Sequence, residues 1–164
     1  MLTNALPALA IVAGTRVSAA VSGVVVGQDT SGMSRARFDQ YVAFYNAGNP
    51  DFARFYADDI VMESSPSIIG KEAIVEFVQG LRSYLTETIR VENYAAGTDT
   101  VTVQVLTEMR FRRPTPVTAL GGLFGRSVRP GQVLRQRGLV IYGLNRGRFS
   151  YIRSGRTIGI HAWT

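Results

Sequence analysis

The chain has no cysteine, a single histidine (His161), a single lysine (Lys71) and six prolines among 164 residues. Without cysteine there is no disulfide scaffold, no thiolate metal site and no cysteine nucleophile. One imidazole cannot build a multi-histidine metal centre. Charged residues make up 18% and hydrophobic ones 46%, so the chain can bury one sizeable core and is neither disordered nor collagen-like. Its length fits one domain. The missing lysine is replaced by arginine: 17 arginines leave a net charge of +6. They run from Arg16 to Arg156 without a tract or a recognised binding motif, which reads first as the codon usage of a GC-rich genome and disfavours nucleic acid as a partner. The chain also lacks a nucleophile elbow, a phosphate loop and a dinucleotide fingerprint.

Long apolar runs are missing too. Residues 1–32 carry only Arg16 and Asp29 as charges, but Thr15-Arg16 interrupts the apolar stretch well short of the roughly 20 residues a membrane span needs. A secretory leader would place its basic residue before the apolar run rather than after it, although Val17-Ser18-Ala19-Ala20 offers small residues for cleavage. The segment is therefore expected to be an appendage, an edge strand or hairpin, with an upstream extension of a start at Met33 as the other reading. A cytoplasmic location is the expectation, with the leader-like features leaving export open. Residues 33–164 form the domain proper.

From Met33 the pattern is regular. Ser34 can cap a helix in which Phe38, Tyr41, Val42 and Tyr45 recur at helical spacing up to a stop at Gly48. Asn49-Pro50 opens a short helix through Phe52, Phe55 and Tyr56, ending near Asp58-Asp59. Residues 60–63 read as a strand and 64–70 as a bulged turn. Residues 71–85 repeat Ile74, Phe77, Val78, Leu81 and Leu85 as a long amphipathic helix. Segments 86–94, 100–113, 132–144 and 148–160 are rich in β-formers, with turns at Gly97-Thr98-Asp99 and Asn145-Arg146-Gly147. Strands longer than ten residues imply a strongly bent sheet. The glycine-rich stretch 114–131 is a loop long enough to be functional or mobile. Three helices followed by long antiparallel strands indicate an α+β domain in which a curved sheet wraps the helices.

Four short motifs in this order carry a resemblance: Tyr41-Val42-Ala43-Phe44-Tyr45-Asn46-Ala47-Gly48, Phe55-Tyr56-Ala57-Asp58-Asp59, Gly70-Lys71-Glu72-Ala73-Ile74 and Asn145-Arg146-Gly147-Arg148-Phe149. Together they resemble the nuclear transport factor 2-like superfamily over residues 34–156, and within it the branch of ketosteroid isomerases and SnoaL-like polyketide cyclases. The resemblance implies a cone-shaped α+β fold, an apolar pocket between sheet and helices, and a homodimer. One fold serves isomerases, cyclases, dehydratases, epoxide hydrolases and non-catalytic binders, so it does not fix the reaction.

In the ketosteroid isomerases an aspartate at the end of the first strand moves the proton, while a tyrosine and a protonated carboxylic acid stabilise the enolate. Tyr41 matches that tyrosine, although it also fits as one member of an apolar helix face. The aspartate aligns with Ser64, preceded by Glu63. Strand alternation turns Glu63 away from a pocket faced by Ser64, yet an extra residue before Pro66 allows a bulge that turns it inward. The second acid aligns with Leu139, which cannot donate a hydrogen bond. Anchoring the strand there brings Arg135 and Arg137 to the pocket face, with Ser154 and Arg156 from the next strand and Thr107 and Met109 from the preceding one. Such arginines would suit an anionic or enolate-bearing ligand; as strand ends protruding into water they would be ordinary. Epoxide hydrolysis, which asks for an Asp-Arg-Asp set, meets Arg153-Ser154 instead and could recruit Glu108 and Arg110 only by a shift of register. His161, near Trp163, titrates in a range suited to acid–base work.

The function expected from these residues is cofactor-free acid–base chemistry, an isomerase or cyclase acting on a hydrophobic oxygenated polyketide, terpenoid or steroid. Tyr41 would stabilise an oxyanion, Glu63 or His161 would move the proton, and Ser64 would orient the substrate. Tyr45, Met62, Thr107, Met109, Arg137, Leu139, Ser154 and Arg156 would line the pocket. Two other readings stay open. One is an epoxide hydrolase of the limonene-epoxide type. The other is a non-catalytic binding or assembly module, whose cavity Phe38, Tyr45, Met62 and Phe77 could fill.

Overall fold

The computed structural model describes residues 32–63 and 67–161, with side chains through Ser154. The appendage expected over residues 1–32 lies outside this range, save for Gly32.

Helix α1 (Arg35–Ala47) begins where the Ser34 side chain accepts a hydrogen bond from the Arg37 backbone amide at 3.2 Å, a cap of the kind worth about 1 kcal/mol. It buries Phe38, Tyr41, Val42 and Tyr45 and stops at Gly48 in the left-handed conformation, φ 71°. Asn49 and Pro50 then start a 3-10 helix, Pro50–Phe55, which buries Phe52 and Phe55. It is shorter than the sequence suggests, because strand β1 (Tyr56–Glu63) already begins at Tyr56. A two-residue strand β2 (Ile68–Ile69) pairs with β1, and α2 (Lys71–Tyr84) buries Ile74, Val78 and Leu81. Four long strands follow: β3 (Leu85–Ala96), β4 (Thr100–Phe111), β5 (Val133–Asn145) and β6 (Arg148–His161).

The six strands form one sheet in the order β2-β1-β6-β5-β4-β3. The sheet is mixed rather than wholly antiparallel, because β1 runs parallel to β6. The chain crosses from β1 through α2 and the meander β3-β4-β5 before β6 returns beside β1. Register shifts near Val91/Asn93 in β3 and at three points between β5 and β6 are irregularities of the kind that bend a strand and increase its twist. The β5–β6 hairpin turns on Arg146 and Gly147, both at positive φ (51° and 71°), as the tightest two-residue hairpins require. The result is the expected α+β cone, a curved open sheet wrapped around three helices.

The main core joins α1 to the concave face of the sheet through Phe38, Tyr41, Tyr56, Val103, Tyr142 and Phe149. A smaller cluster of Leu81, Leu85, Met109, Phe111, Val128 and Leu134 lies towards the far end of α2. Here the glycine-rich loop is anchored. A bridge between Thr115 and Val128 closes its base, and Phe124 stacks edge-on against Phe111 at 4.9 Å. Among the described residues no helix is long and apolar enough to cross a membrane.

Candidate functional site

Between α1, α2 and the concave face of the sheet lies a cavity of about 270 Å³. Strand alternation supplies its walls. Val105, Thr107 and Met109 of β4 point inward, opposite Gly138, Gln136 and Leu134 of β5 respectively. Tyr45, Met62 and Phe77 line this space without closing it.

Three tyrosines form its deepest wall. Tyr41, Tyr56 and Tyr142 are each at most 5% exposed, and the hydroxyls of Tyr41 and Tyr56 are hydrogen-bonded at 3.1 Å. The Tyr142 hydroxyl interacts with that of Tyr41 as well. Burial pushes all three phenols above their ordinary range. They therefore stay neutral and serve as oriented hydrogen-bond donors, and a chain of such groups strengthens its terminal donor.

Beside them stands a carboxyl that the sequence reading did not single out. Glu87 shares the inward parity of β3 with Leu85, Ile89 and Val91 and lines the cavity. The Tyr45 hydroxyl donates to its Oε2 at 2.5 Å. Burial raises the Glu87 pKa, opposed by that hydrogen bond and by the positive charge of Arg82. Its charge is felt at Tyr41, Tyr45, Tyr56 and Tyr142. Arg82 is fixed in turn, stacked over the Tyr45 ring at 4.9 Å and donating to the Tyr45 carbonyl. A carboxyl whose environment favours the protonated form, beside neutral phenols in an apolar cavity, is the arrangement that general acid–base chemistry uses. The sequence did carry the signal, since Glu87, Ile89 and Val91 alternate on one face.

The other expected site residues are distributed as follows. Tyr41, Tyr45, Met62, Thr107 and Met109 border the cavity directly. Leu139 and Ser154 lie on its rim, with Leu139 38% exposed. Glu63 also touches the rim, but both of its carboxylate oxygens are engaged by Arg153, at 2.5 and 2.8 Å. That guanidinium lowers the Glu63 pKa, so the carboxylate is poorly placed to accept a proton. Arg137 is a correction. Gln136, Gly138, Val140 and Tyr142 hold the inward parity of β5, which turns Arg135 and Arg137 to the convex face. There Arg137 grips Glu92 with two bonds of 2.5 and 2.8 Å, and Arg135 meets Glu108 at 2.6 Å. Glu108 and Arg110, the pair that epoxide opening would recruit, are bonded to each other at 2.6 Å and alternate out of phase with Thr107 and Met109. Ser64 and the side chains of Arg156 and His161 lie outside the described residues; the His161 backbone pairs with Arg135. Among the described residues no three acidic or histidine side chains converge as a metal-ligand set.

Known proteins bear on this geometry in three ways. No curated protein matches the chain by sequence. Among solved structures, a candidate polyketide cyclase from Xanthomonas campestris pv. campestris is 19% identical with a TM-score of 0.61, covering 71% of this chain and 84% of that one. A Mycobacterium tuberculosis protein in complex with estradiol-17β-hemisuccinate is 18% identical, TM-score 0.56, covering 74% and 91%. An LEH-like epoxide hydrolase of M. tuberculosis is 10% identical, TM-score 0.55, covering 71% and 77%. At these identities the likeness is one of fold. The SnoaL-like domain model, finally, matches residues 38–152. That match spans well over half of the chain and carries the helix, strand and hairpin motifs that build the cavity, so the protein belongs to the SnoaL-like family of the nuclear transport factor 2-like superfamily.

Proposed function

We propose that this protein is a cofactor-independent acid–base enzyme, an isomerase or cyclase, acting on a hydrophobic oxygenated molecule of the polyketide, terpenoid or steroid class. The observation that carries this reading is the Glu87 carboxyl, held by Tyr45 in an apolar cavity whose deep wall is the Tyr41–Tyr56–Tyr142 cluster. Ionised Glu87 takes a proton from a carbon next to a substrate carbonyl, and the electron pair moves onto the carbonyl oxygen. The Tyr41 hydroxyl, backed by Tyr56 and Tyr142, donates to that enolate oxygen as its charge develops. Glu87 then returns the proton to another carbon, which completes an isomerisation. Alternatively, the enolate carbon attacks a second carbonyl of the same molecule and the new alkoxide takes the proton, which completes a cyclisation. In both cases the carboxylate is regenerated, with no net oxidation. Met62, Thr107, Met109, Leu139 and Ser154 shape the apolar walls around the substrate. The steroid ester bound by the structurally similar M. tuberculosis protein supports a polycyclic ligand.

A panel of steroids, aromatic polyketides and terpenoids tests this reading by thermal stabilisation, followed by turnover of whichever compound binds. A ligand at 100 times its Kd stabilises by about 2.7 kcal/mol, which is about 5–10 °C for a chain of this size. Tyr41→Phe and Glu87→Gln are expected to bind the hit and lose about 100-fold or more in turnover. Ser64→Ala and His161→Gln extend the series to the two residues outside the described side chains. Binding with no turnover by the unmodified protein would favour a non-catalytic carrier, a reading to which the capture of Glu63 by Arg153 already lends weight. No stabilisation by any class would overturn both.

A further inference from the structure

On the outer side of α1, away from the cavity, Arg37, Gln40, Arg54 and Arg148 surround one surface depression whose base is Phe55. Three elements bring the arginines together: the first turn of α1, the end of the 3-10 helix and the first residue of β6. Outside the depression seven cations are paired with acids, while Arg82, Arg112, Arg113, Arg129 and Arg146 form no ion pair among the described residues. Arg35, Lys71, Arg90, Arg110, Arg135, Arg137 and Arg153 each have a carboxylate partner within 4 Å. Among the described residues Arg37, Arg54 and Arg148 have none, and no acidic residue follows Glu108 in the chain. Asp58, which senses Arg148, is engaged by Lys71.

Two further features show that this cluster is shaped rather than incidental. Arg54 stacks over Phe55 at 5.3 Å and over Phe44 at 4.6 Å, and Arg37 lies 6.0 Å from the Phe55 ring. Aromatic stacking fixes the guanidinium planes and lowers the entropy lost when they grip an anion. In addition, the first turn of α1 has no acidic residue, so Arg37 stands at the positive end of a helix dipole that ordinarily attracts carboxylates. Three cations held together without counter-charge repel one another, and that cost is recovered only when an anion is present.

We propose that this depression is a binding site for a phosphate or diphosphate group, distinct from the apolar cavity and independent of its chemistry. Arg37, Arg54 and Arg148 would provide charge-assisted donors from three directions, and the Gln40 amide a neutral fourth. A tetrahedral dianion fits several converging donors better than a carboxylate, which one guanidinium satisfies.

The test is isothermal titration of the full chain with inorganic pyrophosphate, inorganic phosphate and acetate in low-salt buffer. The expected order of affinity is pyrophosphate, phosphate, then acetate. Each of Arg37→Gln, Arg54→Gln and Arg148→Gln should weaken pyrophosphate about tenfold, and the triple variant should abolish binding. All three side chains are exposed, so the variants should stay folded, and pyrophosphate should raise the melting temperature only where the arginines remain. Arg90→Gln, at an exposed arginine outside the depression, serves as the control for net charge. An equal loss in Arg90→Gln would overturn the proposal, as would the absence of binding at millimolar pyrophosphate. It also fails if Asp29→Asn, which removes the only acid before Gly32, raises affinity tenfold, because the chain would then supply its own counter-charge.

Discussion

Replacing Tyr45 with phenylalanine removes one oxygen and keeps the ring, so its effect isolates the hydrogen bond to Glu87. The ring still packs against Phe52 and under Arg82, and Arg82 still donates to the residue 45 carbonyl. What is lost is a 2.5 Å bond to a carboxylate on the cavity wall. A hydrogen bond to a charged group is worth about 1.5–3 kcal/mol. Because Glu87 faces a cavity that water can enter, the lower part of that range applies, about 1.5–2 kcal/mol, or about 5 °C in melting temperature for a chain of this length. The pH dependence gives the sharper test. Burial places the folded Glu87 pKa above its unfolded value of about 4.3. Its stabilising contribution is thus full below that value and is lost as pH rises through the folded pKa. Tyr45 is one of two influences holding the folded pKa down, so Tyr45→Phe raises it further and the variant loses stability more steeply as pH rises. The gap between the two proteins should be widest above both folded pKa values and should narrow towards acid. Urea unfolding across this range measures it. In a Glu87→Gln background the same substitution should cost about 1 kcal/mol less, because only a neutral bond is removed. A gap below about 0.5 kcal/mol, or one constant with pH, would refute a charged Glu87 held by Tyr45.

Three other substitutions separate the roles assigned above. Glu87→Gln should lower turnover of a bound substrate about 100-fold or more and remove the acidic limb of its pH–rate profile, whereas Glu63→Gln should retain that limb; the reverse pattern would return the proton-transfer role to Glu63. Gly48→Ala places a Cβ at positive φ, 2.6 Å from Arg82 Nη1, and should cost about 1–2 kcal/mol for the left-handed backbone alone, read as a lower urea midpoint. Arg137→Met removes the main partner of Glu92, whose pKa Arg137, with smaller help from Gln104 and Arg90, lowers to about 2. That contribution is present above the unfolded carboxylate range and is lost as pH falls through about 2, so the variant's acid-unfolding midpoint should move to higher pH, and an unmoved midpoint would count against the ion pair.

The helices were legible because their burial repeats at helical spacing. Phe38, Tyr41, Val42 and Tyr45 are buried in α1, as are Ile74, Val78 and Leu81 in α2, and caps at Ser34 and Asn49 mark the starts of α1 and the 3-10 helix. The strands were legible as strands, but the face each residue takes was harder to read. In β5 the run Leu139-Val140-Ile141 is apolar at every position, so local hydrophobicity does not fix its parity. Anchoring the strand on Leu139 put two arginines into the pocket. Tyr142 and Leu134, both buried, set the opposite parity and send Arg135 and Arg137 to carboxylates on the convex face. The parallel pairing of β1 with β6 was also hidden, since it joins segments far apart in the chain and leaves no local signature.

The same ambiguity makes Glu63 stand out in the sequence ahead of Glu87. Both are glutamates on strands and both border the cavity, yet their surroundings drive them apart. Glu63 sits at the rim with Arg153 on both oxygens, so its charged form is favoured and its proton-accepting capacity is spent on an ion pair. Glu87 sits two residues into β3, where the strand leaves α2 and its side chain must enter the cone beside Ile89. Among the described residues no guanidinium forms an ion pair with it, and burial favours the neutral acid. Two like carboxyls whose pKa values move in opposite directions can hold different roles in one site. Burial and hydrogen-bond partner, not residue type, therefore decide which of them can exchange a proton with a ligand, and that choice is fixed by the entry of β3 into the sheet.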